Sequence, residues 1–318
     1  MLALHPHLNC KSRESYIQTM TEAPRTLSPR LEKFLASLPV SQFAETIAKR
    51  ADTDPIMVGE LLDTYINEAR VSFNLVEKRL KMESPILEVG AGLCLLSLFL
   101  KREGYTVVAL EPALGGFGLF ETAKDVVLEH YNNIPLKILS CTAQELNPTQ
   151  HGVFEFIFSN NVIEHIPDWQ GALKSMQSVL SAEGSMRHAC PNYTVPYEPH
   201  YGIPVFRHFQ QLSRKFFLSP EADLEIWNSL NFITARQVKK FCWQNHMECD
   251  FDKEMLYRAF MRIHDDPMFK ERHRGPIAFA ARIAMNSPLR HLIRRIPAGL
   301  ATPMIFSIKH AHENAERT

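Results

Sequence analysis

The stretch Ile86-Leu87-Glu88-Val89-Gly90-Ala91-Gly92 decides the fold. Its first four residues suit a strand buried on both faces, and its glycines lead directly into residues 93–102, read as an apolar helix. A strand that turns into a helix through glycine lets the backbone approach a ligand where a Cβ would collide. It also aims amide groups at the ligand's polar end. Glu111 closes the next β-type run, about 20 residues beyond the glycines, where a carboxylate can accept the hydroxyl hydrogens of a ribose. A dinucleotide fingerprint would need a third glycine at position 95, which here is Leu95. The expected ligand is therefore a nucleoside without a diphosphate.

Working outward, β-type runs at 85–89, 106–110, 136–140, 154–159 and 185–190 alternate with helical stretches at 93–102, 116–131 and 169–180. Parallel βαβ units follow, and with them an α/β fold with a doubly wound sheet. A helix at 234–245, a strand at 247–251 and a last apolar run at 303–309 complete the pattern. Residues 85–318 are thus read as one domain, whose rhythm is broken near 194–232 and 253–301 by insertions expected to form a lid. Upstream, Ser28 and Pro29 read as an N-cap and first helical position. A longer helix is expected after Asp52 and Pro55, with Ile56, Leu61, Leu62, Tyr65 and Ile66 on one face. Residues 28–84 thus form a helical N-terminal cover, preceded by a loose tail at 1–27.

Composition sets limits on partners. Among 318 residues, 35 basic and 35 acidic side chains cancel, so the basic surface of a protein that tracks a phosphate backbone is missing and nucleic acid is not an expected partner. The six cysteines form no Cys-x-x-Cys pair, which suits a reducing, cytoplasmic setting. No run reaches the ~18 apolar residues that cross a bilayer. Basic and apolar residues mix over 272–295, a stretch able to make weak membrane-surface contact or to pack as a helix with a solvated basic side. No metal is expected. Cys242, His246 and Cys249 fall short of a closed tetrahedral site, and Asp168, Asp265 and Asp266 are not diagnostic of a divalent cation.

Four motifs in order then point to a family: ILEVGAG at 86–92, VVALEP at 107–112, CTAQEL at 141–146 and FEFIFSNNVIEHIPD at 154–168. Together they resemble class I S-adenosylmethionine-dependent methyltransferases, most of all the small-molecule branch that includes quinone-biosynthesis O-methyltransferases. The resemblance implies a seven-stranded Rossmann-like sheet whose last strand is antiparallel, and S-adenosyl-L-methionine as cofactor. It implies that Glu88, Gly90, Ala91 and Gly92 hold the methionine end, Glu111 the ribose, and Thr142, Ala143 and Gln144 the rim of the adenine. Asn160 and Asn161 would close the pocket beside the methionyl group. Many relatives carry an aspartate where this chain has Thr142, so the adenine amino contact passes to a hydroxyl or to Gln144. Base-amine methyltransferases place an Asp/Asn-Pro-Pro-aromatic motif where this chain has Ser159-Asn160-Asn161-Val162. The Pro-Cys of cytosine enzymes is reversed here as Cys190-Pro191.

Methyl transfer is an in-line displacement, so the protein must hold an acceptor atom close to the methyl and, for a hydroxyl, remove its proton. Two clusters supply candidates. His165 lies in Glu164-His165-Ile166-Pro167-Asp168, where the chain leaves the fourth strand. The run from Asn192 to His208 leaves the fifth strand at the same edge. In it His200 is the first candidate for the base and Glu198 the next, with Asn192, Tyr193, Tyr197, Tyr201, Arg207 and His208 as lining for the acceptor. The expected reaction is O-methylation of a small molecule or a glycan- or lipid-type intermediate. Methylation of a small amine and a catalytically inactive cofactor-binding interaction protein are the alternatives. Oligomeric state is left open.

Overall fold

The computed structural model describes residues 27–112, 118–219, 224–255, 257, 261 and 276–311. The division into compact units falls between Leu38 and Pro39. The first unit contains helix α1 (Leu27–Ala36), whose buried residues Leu31, Phe34 and Leu35 follow helical spacing.

The second unit opens with α2 (Val40–Ala51), a helix the sequence reading passed over although Phe43, Ala44, Ile47 and Ala48 carry its apolar face. Asp52 ends it in the left-handed conformation, with φ 50°. Asp54 then caps α3 (Pro55–Val76), its carboxylate accepting from the Ile56 amide at 2.9 Å ahead of a proline that needs no partner. The buried stripe of α3 is Val58, Leu62, Ile66, Ala69, Phe73 and Val76. Ile56, expected on that stripe, is 73% exposed, because it lies two positions from the buried Val58 and so on the opposite face of the helix.

Strand β1 (Ile86–Val89) is buried throughout, and α4 (Leu95–Arg102), β2 (Val107–Leu110), α5 (Gly118–His130) and β3 (Lys137–Leu139) follow it. After the short α6 (Pro148–His151) come β4 (Phe154–Asn160), α7 (Trp169–Ser178) and β5 (Leu180–Cys190). The first insertion holds a small hairpin of β6 (Tyr197–Glu198) and β7 (Ile203–Pro204), then α8 (Gln210–Phe217) and α9 (Leu224–Ser229). α10 (Ala235–Gln244) and β8 (Met247–Phe251) restore the rhythm. α11 (Pro276–Met285), α12 (Leu289–Ile293) and β9 (Met304–His310) end the described chain.

The seven strands run in the order β3-β2-β1-β4-β5-β9-β8. β1 to β5 pair in parallel, and β9 is antiparallel to both β5 and β8, as the resemblance implied. β5 begins earlier than expected because Leu180 already pairs with Phe154 ahead of a register shift. The core packs Leu87, Ile157, Leu173, Met186 and Phe306 from neighbouring elements, each 0% exposed. Helix α12 starts after Pro288 as read, but it covers only Leu289–Ile293 and is preceded by α11. Residues 272–275, Asp265 and Asp266 lie outside the described residues. No helix among the described residues is long and apolar enough to cross a membrane.

Candidate active site

The chain fills the sheet in one direction from β1 to β3 and in the other from β4 onward, so the carboxyl ends of β1 and β4 flank a crevice. The glycine turn sits there. Gly90 and Gly92 have φ of 70° and 56°, conformations that L side chains rarely adopt. A Cβ at Gly90 would lie 2.3 Å from Val162 Cγ2, and one at Gly92 would lie 2.7 Å from Tyr65 Cε1. Space at the turn is thus kept for backbone. Glu88 is buried and accepts from the Ser97 hydroxyl, while burial pushes its carboxyl up to about 8. Glu111 Oε2 accepts from the Gly92 amide at 2.7 Å, which ties the end of β2 to the turn. Burial raises the Glu111 carboxyl to about 7, against that hydrogen bond and the nearby Lys124.

Across the crevice, Asn160 is buried with no hydrogen-bond partner for Nδ2 among the described residues. Asn161 takes the left-handed conformation, which asparagine tolerates, and its Nδ2 donates to Glu68 Oε1 at 3.2 Å. Tyr65, Glu68, Ala69 and Ser72 of α3 line the cleft together with Glu88, the glycine turn and Asn160. The sequence reading gave α3 only a covering role. The signal for more was present, since Tyr65, Glu68 and Ser72 fall at helical spacing on one face and put polar groups beside an apolar stripe. Cradling glycines, a carboxylate at the end of β2 and an unpaired buried amide fit a nucleoside with an amino-acid end.

The adenine rim is more architectural than expected. Thr142 caps the turn at Ala143–Glu145, its hydroxyl donating to Glu145 Oε2 at 2.8 Å, and Ala143 belongs to the core. Gln144 reaches back to the Asp168 carbonyl at 3.4 Å. Asp168 itself caps α7 by accepting from the Gly171 amide at 2.9 Å.

Beyond Asn161 the structure brings both sequence clusters together. His200 Nδ1 lies 2.6 Å from Glu198 Oε1, and its Nε2 lies 4.0 Å from Glu164 Oε1. The His165 and His200 rings are 5.1 Å apart, and His165 Nδ1 lies 2.7 Å from Ser229 Oγ. Glu198 is fully buried and also accepts from the Tyr193 hydroxyl at 3.2 Å and the Tyr201 amide at 3.0 Å. Burial works against the Glu198 charge, but His200 and the Tyr201 amide hold its carboxyl below the usual range. Burial pushes Glu164 up to about 8 and depresses His165 to about 4.

Other lining residues divide. Asn192 is a clamp: its Nδ2 donates to the Gly299 and Ala301 carbonyls at 2.9 Å each, and its Oδ1 accepts from the Ala235 amide at 3.2 Å. Tyr193 packs with Val205, Trp227, Leu230 and Phe232. Tyr201 stacks toward Trp227 with ring centroids 6.0 Å apart, and Tyr197 pairs with Pro204 in the hairpin. Arg207 and His208 line a second hollow, with Tyr193, Phe206 and Arg236, of about 470 Å³.

Comparison with known proteins agrees with this geometry. Residues 87–187 match the model of a methyltransferase domain. Two uncharacterized proteins of Mycobacterium tuberculosis, from strains CDC 1551 / Oshkosh and H37Rv, are each 34% identical over 229 residues, covering 70% of this chain and 77% of theirs. Among solved structures, the chain is similar to Haemonchus contortus phosphoethanolamine N-methyltransferase 2 in complex with phosphomonomethylethanolamine and S-adenosylhomocysteine. The TM-score is 0.44 at 13% identity, over 76% of this chain and 52% of that one, so the chain spans about half the length of that protein. It is also similar to the YcgJ protein of Bacillus subtilis, with a TM-score of 0.44 at 14% identity over 76% and 99% of the two chains. Likeness at this level says nothing about an acceptor. The domain match lies over the glycine turn and the central strands, so the chain carries a methyltransferase domain at residues 87–187 and belongs to the family of the two mycobacterial proteins.

Proposed function

We propose that this methyltransferase acts on a hydroxyl oxygen of a small acceptor, a free metabolite or a glycan- or lipid-type intermediate. The observation that carries the reading is the Glu198–His200 pair at 2.6 Å, set at the carboxyl edge of the sheet beside Asn161. A hydroxyl must lose its proton as it is methylated, and a histidine whose Nδ1 is held by a carboxylate presents Nε2 for that task. The cofactor supplies an electrophilic methyl group on a sulfonium sulfur. Glu88, Gly90, Ala91 and Gly92 would receive its methionine end and Glu111 its ribose, with Thr142, Ala143 and Gln144 bordering the adenine. Asn160 and Asn161 would separate the cofactor from the acceptor. Tyr197, Tyr201, Arg207 and His208 would wall the acceptor side, and the hollow of about 470 Å³ offers room for an apolar body.

Incubation of the protein with methyl-labelled cofactor and an extract of its own cells, followed by identification of the labelled product, tests the reading. An O-methyl ether or ester is the expected product. Label found only on nitrogen would overturn the choice of acceptor atom and leave the methyltransferase assignment intact.

A further inference from the structure

We infer that Glu164, His165 and His200 form a binding site for one divalent transition-metal ion on the acceptor side of the crevice. One ligand-capable atom from each residue lies within 4.8 Å of the others, a grouping that no other set of histidines, cysteines and carboxylates matches among the described residues. Sequence spacing hides it. Glu164 and His165 leave β4 together, whereas His200 arrives from the hairpin of the first insertion.

An independent observation points to a missing partner. Glu164 is 0% exposed, and neither of its carboxylate oxygens has a hydrogen-bond partner among the described residues. A buried carboxylate left in that state is costly, and a cation coordinated to it removes the cost. The surroundings have the form of outer support for metal ligands. His200 Nδ1 is held by Glu198 at 2.6 Å and His165 Nδ1 by Ser229 at 2.7 Å, so in each ring Nε2 is the nitrogen left out of those bonds. Glu198 is in turn fixed by Tyr193 and Tyr201. His200 Nε2 and Glu164 Oε1, 4.0 Å apart, need only a small approach to share an ion with bonds of about 2.0–2.2 Å.

The donor set selects the class of ion. Two imidazoles and one carboxylate suit Zn²⁺, Fe²⁺, Mn²⁺ or Co²⁺ rather than Mg²⁺ or Ca²⁺, which favour oxygen alone. Three protein ligands leave coordination positions open, and an acceptor oxygen would take one. The site itself stands without the O-methylation reading; only the ion's role rests on it. With the ion bound, His200 Nε2 is a ligand, and coordination replaces direct proton transfer as the means of making the hydroxyl acidic.

The test uses the full chain, stripped with a chelator and titrated with Co²⁺ while visible absorption is followed. The expected result is d–d bands that saturate at one Co²⁺ per chain and vanish on addition of Zn²⁺. Glu164→Gln, His165→Ala and His200→Gln should each weaken Co²⁺ binding at least ~10-fold, with S-adenosylhomocysteine binding by calorimetry retained as proof of folding. Absence of Co²⁺ bands, thiolate charge-transfer bands that place the ion on cysteines, or unchanged affinity in all three variants would overturn the site. Failure of the acceptor reading looks different: nitrogen-methylated product from a chain that still binds one Co²⁺. Full-rate O-methylation by the stripped chain removes the ion's role and keeps His200 as a bare base.

Discussion

At the glycine turn, the proposed cofactor side is backbone held open by two residues without Cβ, backed by the Glu88 and Glu111 carboxylates that one short stretch of sequence positions. On the other side of Asn160 and Asn161, the proposed acceptor side is a set of side chains from the turn after β4 and from the hairpin, with His165 held by Ser229 of α9, 64 residues away, and His200 by Glu198 within the hairpin. The first region tolerates little variation because a backbone position cannot be exchanged. The second can be re-specified by changing single side chains, which is the arrangement expected when one donor serves many acceptors. The difference predicts that lesions in the two regions separate into loss of cofactor binding and loss of turnover.

The largest expected effect is on the acceptor side. His200→Ala should lower turnover by roughly 10²–10⁴-fold while cofactor affinity, read by calorimetry, stays within about twofold. Equal losses in both quantities would merge the two regions into one. Glu111→Ala should do the reverse: loss of a charge-assisted contact worth about 1.5–3 kcal/mol weakens S-adenosylhomocysteine binding by about 10- to 100-fold, with turnover at saturating cofactor changed far less.

Smaller effects test the backbone side of the comparison. Gly90→Ala brings a Cβ to within 2.3 Å of Val162 Cγ2 at a φ of +70°. It should cost about 1–3 kcal/mol in urea unfolding and weaken cofactor binding in addition. Unchanged stability would mean that the turn has room the structure does not show.

The pH dependence is the subtlest measure. Glu111 must be ionised to accept from ribose hydroxyls, so cofactor affinity should rise as pH rises through about 7. The Glu111→Ala variant should lose that slope. Glu88 acts on stability. Its folded pKa of about 8 lies above the ordinary 4.5, so its contribution is fully present below 4.5 and is lost as pH rises through about 8. Glu88→Gln should flatten that part of the curve of melting temperature against pH, and a wild-type slope in the variant would assign the effect to another group.

How much could be read in advance follows from the range of the signal. Strand β8 was legible to the residue at Met247–Phe251, because alternation and turn residues are local. The ends of β5 and α7 were not, since Leu180 enters β5 through its pairing with Phe154, a cross-strand contact. In the same way Glu88, Gly90, Gly92 and Glu111 were legible from spacing along the βαβ unit, while Tyr65, Glu68 and Ser72 were read as part of a cover. Their role depends on where α3 lies, and no local rule states that. Asn192 shows the converse. Its polar side chain suggested a site lining, and packing made it a clamp on residues 299–301.

Sequence by itself determined the alternation of strands and helices, the glycine turn and with it the kind of cofactor, because each is set by steric and hydrophobic preferences acting over a few residues. Only the tertiary structure decided that Glu164 lies buried with neither oxygen hydrogen-bonded among the described residues, and that His200, 36 residues beyond it, comes within 4.0 Å. Charge pairing inside a protein depends on distance through space and on exclusion of water, and neither is written in the order of residues along the chain.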